Sequence, residues 1–247
     1  MTLGKLIVIE GSDCSGKHTQ TEMLVERLND ENIPCETMSF PRYDTPTGRI
    51  VGECYLGKNS ASWFRDANSV HPLIASLYYA ADRFAAVSDI LDVLASGTHL
   101  VLDRYVESNL AHQGGKERNP NKRLGLIKKI SDIEYRILEI PKPDAIIFLH
   151  MPYLVSIELK KGRQGKADSH ESNPEHLKNT EETYLQLANM FKWIRIDCAP
   201  DCSDYARIRR INNSDYPLVQ GKAVNNLFIF LLFFSDFLFA SSTRTLR

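Results

Sequence analysis

Gly11-Ser12-Asp13-Cys14-Ser15-Gly16-Lys17-His18-Thr19 follows directly on the apolar run Leu6-Ile7-Val8-Ile9. A glycine, four residues, then glycine and lysine, set between a strand and a helix, is the spacing of a loop that wraps a phosphate. Glycines let the backbone turn tightly, so that successive N–H groups point at one anion. The helix that follows adds the positive end of its dipole, and Lys17 is placed to reach the outer phosphates. An ordinary strand-to-helix turn is the alternative. One residue departs from the pattern. The position after the lysine calls for Ser or Thr, whose hydroxyl binds Mg²⁺, and here it is His18. Imidazole is a poor ligand for an ion that prefers oxygen. Thr19 carries a hydroxyl but lies about 100° further round the helix.

Working outward, short apolar runs alternate with longer amphipathic ones. Strands are expected at Lys5–Ile9, Glu36–Phe40, His99–Leu102, Ala145–Leu149 and Trp193–Asp197. Helices are expected at Thr19–Leu28, His71–Leu94, Lys122–Leu138 and Leu154–Lys160, and from an Asn173-Pro174 start to Met190. Five strands separated by helices imply an α/β fold with a doubly wound, largely parallel sheet covered on both faces. In such sheets ligands sit beyond the carboxyl ends of the strands. That places Gly11 to Lys17, Phe40-Pro41-Arg42 and Asp103-Arg104-Tyr105 along one edge.

Asp103 ends an apolar strand, as a metal-positioning aspartate does in phosphate-loop enzymes. Arg104 beside it offers a planar fork for phosphate. A structural ion pair at the strand end is the competing reading. Lys160, Lys161, Arg163 and Lys166 bring four cations into seven residues, with Gly162 and Gly165 among them. This composition suits a lid, spanning about 160–172, that closes cations over a transferring phosphate. A solvated charged face is the alternative. Arg163 is the candidate for stabilising the transition state.

The 247 residues carry a net charge of −1, with 43% hydrophobic and 25% charged residues. That balance suits a globular chain and gives no overall pull toward nucleic acid or anionic membranes. Five scattered cysteines without metal spacing read as reduced thiols of a cytoplasmic protein. The first strand begins within a few residues of Met1, so no signal peptide is expected. A single domain over 1–224 is followed by a tail, 225–247. Its run Leu227–Ala240 holds six of the eleven phenylalanines. The run is too short to span a bilayer, so packing on the domain is expected in preference to membrane contact.

Taken in order, these segments resemble the thymidylate kinase family over about residues 3 to 211. The motifs are Glu10 to Gln20, Phe40-Pro-Arg-Tyr43, Ala80-Ala-Asp-Arg83, Asp103-Arg-Tyr105, Ser108 to Gly114 and Asp168-Ser-His-Glu171. The resemblance implies strand order 2-3-1-4-5, a homodimer, and transfer of a phosphoryl group from ATP to dTMP with Mg²⁺. It implies that Gly11, Ser12, Asp13, Cys14, Ser15, Gly16, Lys17, His18 and Thr19 hold ATP, and that Asp103 and Asp13 place the metal. Asp13 also contacts the sugar, with a turn cap as its alternative. Phe40, Arg42 and Tyr43 match the segment at the acceptor phosphate, where Arg42 could instead be a surface residue. Tyr79 and Arg83 match an aromatic that stacks on thymine and an arginine that bonds the base; four apart, they share a helix face. Asn109, His112 and Gln113 match the nucleoside pocket, and many relatives carry at the His112 position a tyrosine that crowds out a ribose 2′-hydroxyl. Asp168 and Glu171 match acidic lid residues. The alternatives are a kinase for another nucleoside monophosphate and a nucleotide-binding protein with weakened catalysis.

Overall fold

The computed structural model describes residues 3–58, 62–161 and 173–199. The expected lid residues Arg163, Asp168 and Glu171, and the tail 225–247, lie outside the described residues. Five parallel strands form one sheet: β1 (Leu6–Gly11), β2 (Cys35–Ser39), β3 (His99–Asp103), β4 (Ala145–His150) and β5 (Ile194–Asp197), in the order β2-β3-β1-β4-β5. The central β1 pairs with β3 in the register Leu6↔Leu100 and with β4 in the register Ile7↔Ala145. All six of its residues are buried. This is the expected pattern for a parallel strand covered on both faces.

Because side chains alternate along a strand, β1 feeds two cores. Ile7 and Ile9 pack with Leu24 and Leu28 of α1 (Lys17–Asp30) and Val155 of α7 (Tyr153–Lys161). Leu6 and Val8 face the other way, toward four helices. Ile90 comes from α4 (Val87–Ala95), Leu110 from α5 (Val106–Gly114), Ile127 from α6 (Pro120–Ser131) and Tyr184 from α8 (Pro174–Phe191). A third apolar cluster sits past the end of β2. It gathers Val51, Tyr55 and Leu56 behind the short α2 (Pro46–Arg49) against Ala75 of α3 (Pro72–Phe84). Among the described residues, no helix is long and apolar enough to cross a membrane.

Two helices differ from the periodicity reading. The stretch expected as one helix from His71 to Leu94 is α3 followed by α4. The break falls where the Ala86 N–H bonds to Arg83 O, three residues back. That tightened turn redirects the chain between the buried Arg83 and the buried Ile90. Apolar residues keep the same spacing on both sides, so sequence spacing alone does not register it. The expected Lys122–Leu138 helix is α6 up to Ser131, then one wider turn over Asp132–Ile137, in which the Leu138 N–H reaches Ile133 O. Such widened turns re-aim side chains, and this one carries a fully buried Glu134. The Asn173-Pro174 start holds: Asn173 Oδ1 accepts from the N–H groups of Glu175 and His176.

Candidate active site

The turn after β1 is built from backbone constraints. A Cβ on Gly11 would stand 2.5 Å from Leu149 O and 2.7 Å from Ser15 Oγ, so only glycine fits. Cys14 (φ 60°) and Gly16 (φ 83°) are left-handed on either side of Ser15. Such alternation of hand turns successive amides into an anion-binding concavity. Ser15 Oγ is buried without a hydrogen-bond partner, which in a native loop marks a place for a ligand. The Lys17 ammonium donates to Ser12 O at 2.9 Å. Burial, together with the Arg104 charge, pulls its pKa down to about 8.

Asp13 joins this loop to a second set of charges. Its Oδ1 accepts from Arg104 at 2.7 Å and its Oδ2 from Lys160 at 3.0 Å. Burial works against a carboxylate here. The cations of Arg104, Lys17 and Lys160 outweigh it and hold Asp13 well below the usual range. Burial works against the charge of Arg104 as well, but Asp13 and the carboxylates around it keep the guanidinium firmly charged. Arg104 is left-handed (φ 66°), an uncommon state for a residue with a side chain. It also reaches Ser108 Oγ at 3.3 Å and lies 3.5 Å from His112 Nε2.

Beneath both sits Glu10, a carboxylate fully buried at the end of β1. Its Oε1 accepts from the N–H groups of Tyr105 and Ser108, and its Oε2 from the hydroxyls of Ser108 and Tyr184. Glu10 was not singled out from sequence. Its signal is a charged residue closing an otherwise wholly apolar strand.

A cleft opens beyond Asp13 and Arg104. Phe40, Pro41, Tyr43, Leu56, Tyr79, Tyr105, Asn109, His112 and Gln113 line it. The Phe40–Pro41 peptide is cis. Arg83 lines the cleft although only 2% exposed, because Glu134 holds it by two bonds, Nε to Oε2 and Nη2 to Oε1, while Nη1 donates to Tyr105 O. Asn109 donates to the same Glu134 Oε1 at 2.7 Å, leaving its own Oδ1 buried and unpartnered. Gln113 Oε1 is in the same condition. Two buried amide oxygens at the wall of one cleft call for donors from a bound molecule. His112 lies against His176, a residue not anticipated, with the rings tilted and Nδ1 3.4 Å from His176 Nε2. Arg42 does not line the cleft. Its backbone N–H and its guanidinium both bind Asp82, and Nη1 lies 3.7 Å from Asp89.

Of the two carboxylates expected to place a metal, Asp103 fits: its Oδ1 is buried and lacks a hydrogen-bond partner. Both oxygens of Asp13 are already committed to cations. His18 is 75% exposed, with Nδ1 3.9 Å from Asp103 Oδ2 and Nε2 3.3 Å from Glu22 Oε1. Thr19 is exposed, as its place on the helix predicts.

A phosphate loop at the exit of the central strand, joined by an ion pair to an aromatic cleft with unmet amide oxygens, defines a P-loop nucleoside monophosphate kinase. The thymidylate kinase family model matches residues 9–205, and the chain belongs to that family. It is 30% identical to the thymidylate kinase of Plasmodium falciparum over 206 residues, covering 81% of this chain and 85% of that one. It is 32% identical to a probable thymidylate kinase of Pyrococcus abyssi over 194 residues, covering 78% and 87%. It is also 36% identical to the human thymidylate kinase over 148 residues, covering 60% and 61%. The solved thymidylate kinase of Candida albicans shares the fold with a TM-score of 0.60 at 24% identity, covering 91% of this chain and 93% of that one.

Proposed function

We propose that this chain transfers the γ-phosphoryl group of ATP to dTMP, giving dTDP. The observation that carries the reading is the Asp13–Arg104 pair, which makes the phosphate loop and the aromatic cleft one continuous site. The loop amides and Lys17 bind the triphosphate. Lys17 exchanges its bond to Ser12 O for phosphate oxygens when nucleotide enters. Thymine lies between Phe40 and Tyr79, and its single N–H, at N3, donates to one of the two unmet amide oxygens, Asn109 Oδ1 or Gln113 Oε1. Arg83, locked on Glu134, fixes the far wall. Arg104 faces the gap where the two phosphates meet. Arg42 serves the acceptor phosphate by leaving Asp89, and Lys160 and Arg163 add positive charge for the transferring group.

The acceptor is already an anion, so neither a general base nor a covalent intermediate is needed. The protein's work is alignment and charge neutralisation. Asp103 would hold Mg²⁺, which when bound neutralises phosphate charge.

We read the molecule as a homodimer. Ile74 and Leu77 of α3, Phe84 at its end and Leu91 of α4 are all exposed, apolar area suited to a second copy. A cytoplasmic setting accords with the free thiols Cys35, Cys54 and Cys198.

The test of the reaction is ADP release with ATP and Mg²⁺ across dTMP, dUMP, the ribose form of TMP, and dCMP. The expected result is the highest kcat/KM for dTMP. ATP turnover indifferent to dTMP, or a preference for dCMP, overturns the reading.

A further inference from the structure

A second cavity, of about 510 Å³, shares no lining residue with the cleft. Ala145 at the start of β4 and Ile194 at the start of β5 line it, whereas the phosphate loop leaves the far end of β1. Its volume falls in the range of sites that bury a small organic molecule. Phe191 and Trp193 give it an aromatic wall, their rings 21° from parallel with centroids 6.4 Å apart. Glu107 lines it too, and is only 3% exposed. Tyr135 donates to Glu107 Oε1, but Oε2 is buried without a hydrogen-bond partner. Lys142 and Lys192 are the exposed cations among the lining residues. The Lys142 ammonium lies 5.8 Å from the centre of the Tyr135 ring. Asp144, the other acid of the lining, is already engaged: its Oδ2 accepts from the Leu6 N–H and its Oδ1 lies 3.8 Å from Lys5. The charge offered to an occupant is therefore positive.

A buried oxygen without a partner calls for one. A single water would satisfy Oε2 but would gain nothing from the aromatic wall or the two lysines. We propose that this cavity is a second small-molecule site, one that takes a planar heteroaromatic ring with an N–H beside an acceptor on its edge and an anionic arm, the chemistry of a nucleotide. The ring stacks on the aromatic wall. Its edge serves Glu107 in either state: the acid donates from Oε2 to the acceptor, and the carboxylate accepts from the N–H. The arm meets Lys142 and Lys192.

The experiment uses the full chain carrying Trp63→Phe, which leaves Trp193 as its one tryptophan. Trp63 is 60% exposed, so this is a surface change. Saturating dTMP and β,γ-methylene-ATP with Mg²⁺ fill the cleft and the phosphate loop. Inosine 5′-monophosphate should then quench Trp193 fluorescence saturably. Purine riboside 5′-monophosphate has the same ring system and arm but no edge N–H, and should bind about tenfold more weakly, the worth of one hydrogen bond to a buried group. The double variant Lys142→Ala, Lys192→Ala should weaken inosine 5′-monophosphate about fivefold, as loss of two exposed ion pairs does, with kcat for dTMP unchanged. Equal binding of the two purine nucleotides overturns the role of Glu107 and with it the proposed ligand class. Quenching untouched by loss of both lysines puts the nucleotide elsewhere and overturns the site. Absence of saturable quenching overturns the proposal outright and leaves the kinase reading standing, because turnover of dTMP is measured separately.

Discussion

Lys17 lies against Ser12 O and close to Arg104, and its charge is held at a cost set by burial. Replacing it with alanine removes the cation aimed at the outer phosphates. Lys17→Ala should lower kcat by a factor on the order of 10² to 10³, as loss of a comparable charge-stabilising contact does. Single-turnover phosphoryl transfer checks this, and near-native turnover would remove Lys17 from the chemistry. Much at this scale was legible from spacing: the loop, Asp103 and Arg104 stand at the strand ends where the sequence places them. Partners across the chain were not. Arg42 meets Asp82, Arg83 meets Glu134, and Glu10 meets Tyr184, at separations of 40, 51 and 174 residues. No local pattern encodes which acid a buried arginine will find. The cost of leaving it unpaired decides the matter only once the chain is folded.

Among the elements, the wide turn at Asp132–Ile137 has the clearest energetic role. It places Glu134 where Arg83 and Asn109 both bond to it, behind the wall of the cleft. Glu134→Ala leaves a buried guanidinium without a counter-charge and should cost about 3 to 5 kcal/mol. Urea denaturation measures this loss. A KM for the acceptor that rises alongside would tie the same turn to substrate binding. The strands were read to within a residue or two: β1, β3 and β4 are compact apolar runs, while β2 and β5, at the sheet edges, are short and mixed in polarity. The helices were harder. A long amphipathic pattern says that one face is buried, but it is blind to a single tightened or widened turn that keeps the same face inward. The break at Ala86 and the widening after Ser131 both belong to that kind.

At the scale of the molecule, two features predict bulk behaviour. Glu107, in the first turn of α5, is buried and accepts a hydrogen bond from the Tyr135 hydroxyl. Burial first, and then the charge of Glu10, push its carboxyl up to about 8. Between the unfolded value of 4.5 and about 8 the folded state therefore holds one proton more than the unfolded state, and stability falls as pH rises. Glutamine keeps the shape and cannot ionise. Glu107→Gln should gain about 3 kcal/mol on the native protein between pH 5 and pH 8, read from urea midpoints at the two pH values. A constant difference would refute the buried neutral acid. The exposed face of α3 and α4 makes the second prediction. Leu77→Glu puts a charge where a second copy is expected to pack. Sedimentation should find the native chain as a dimer at micromolar concentration and the variant as a monomer.

The position of β1 has a further consequence during synthesis. It leaves the ribosome first, yet its two neighbours in the sheet begin only at His99 and Ala145. Until β3 emerges, a strand apolar from Leu6 to Ile9 has both edges bare, and one edge stays bare until β4 follows; pairings this remote in sequence close slowly. The nascent chain is thus a natural client for a chaperone that shelters short apolar segments. Charged substitutions in Leu6–Ile9 would damage yield in the cell by destroying the sheet's centre, whereas lengthening the β2-to-β3 connection would damage it by delaying the strand that first covers that centre.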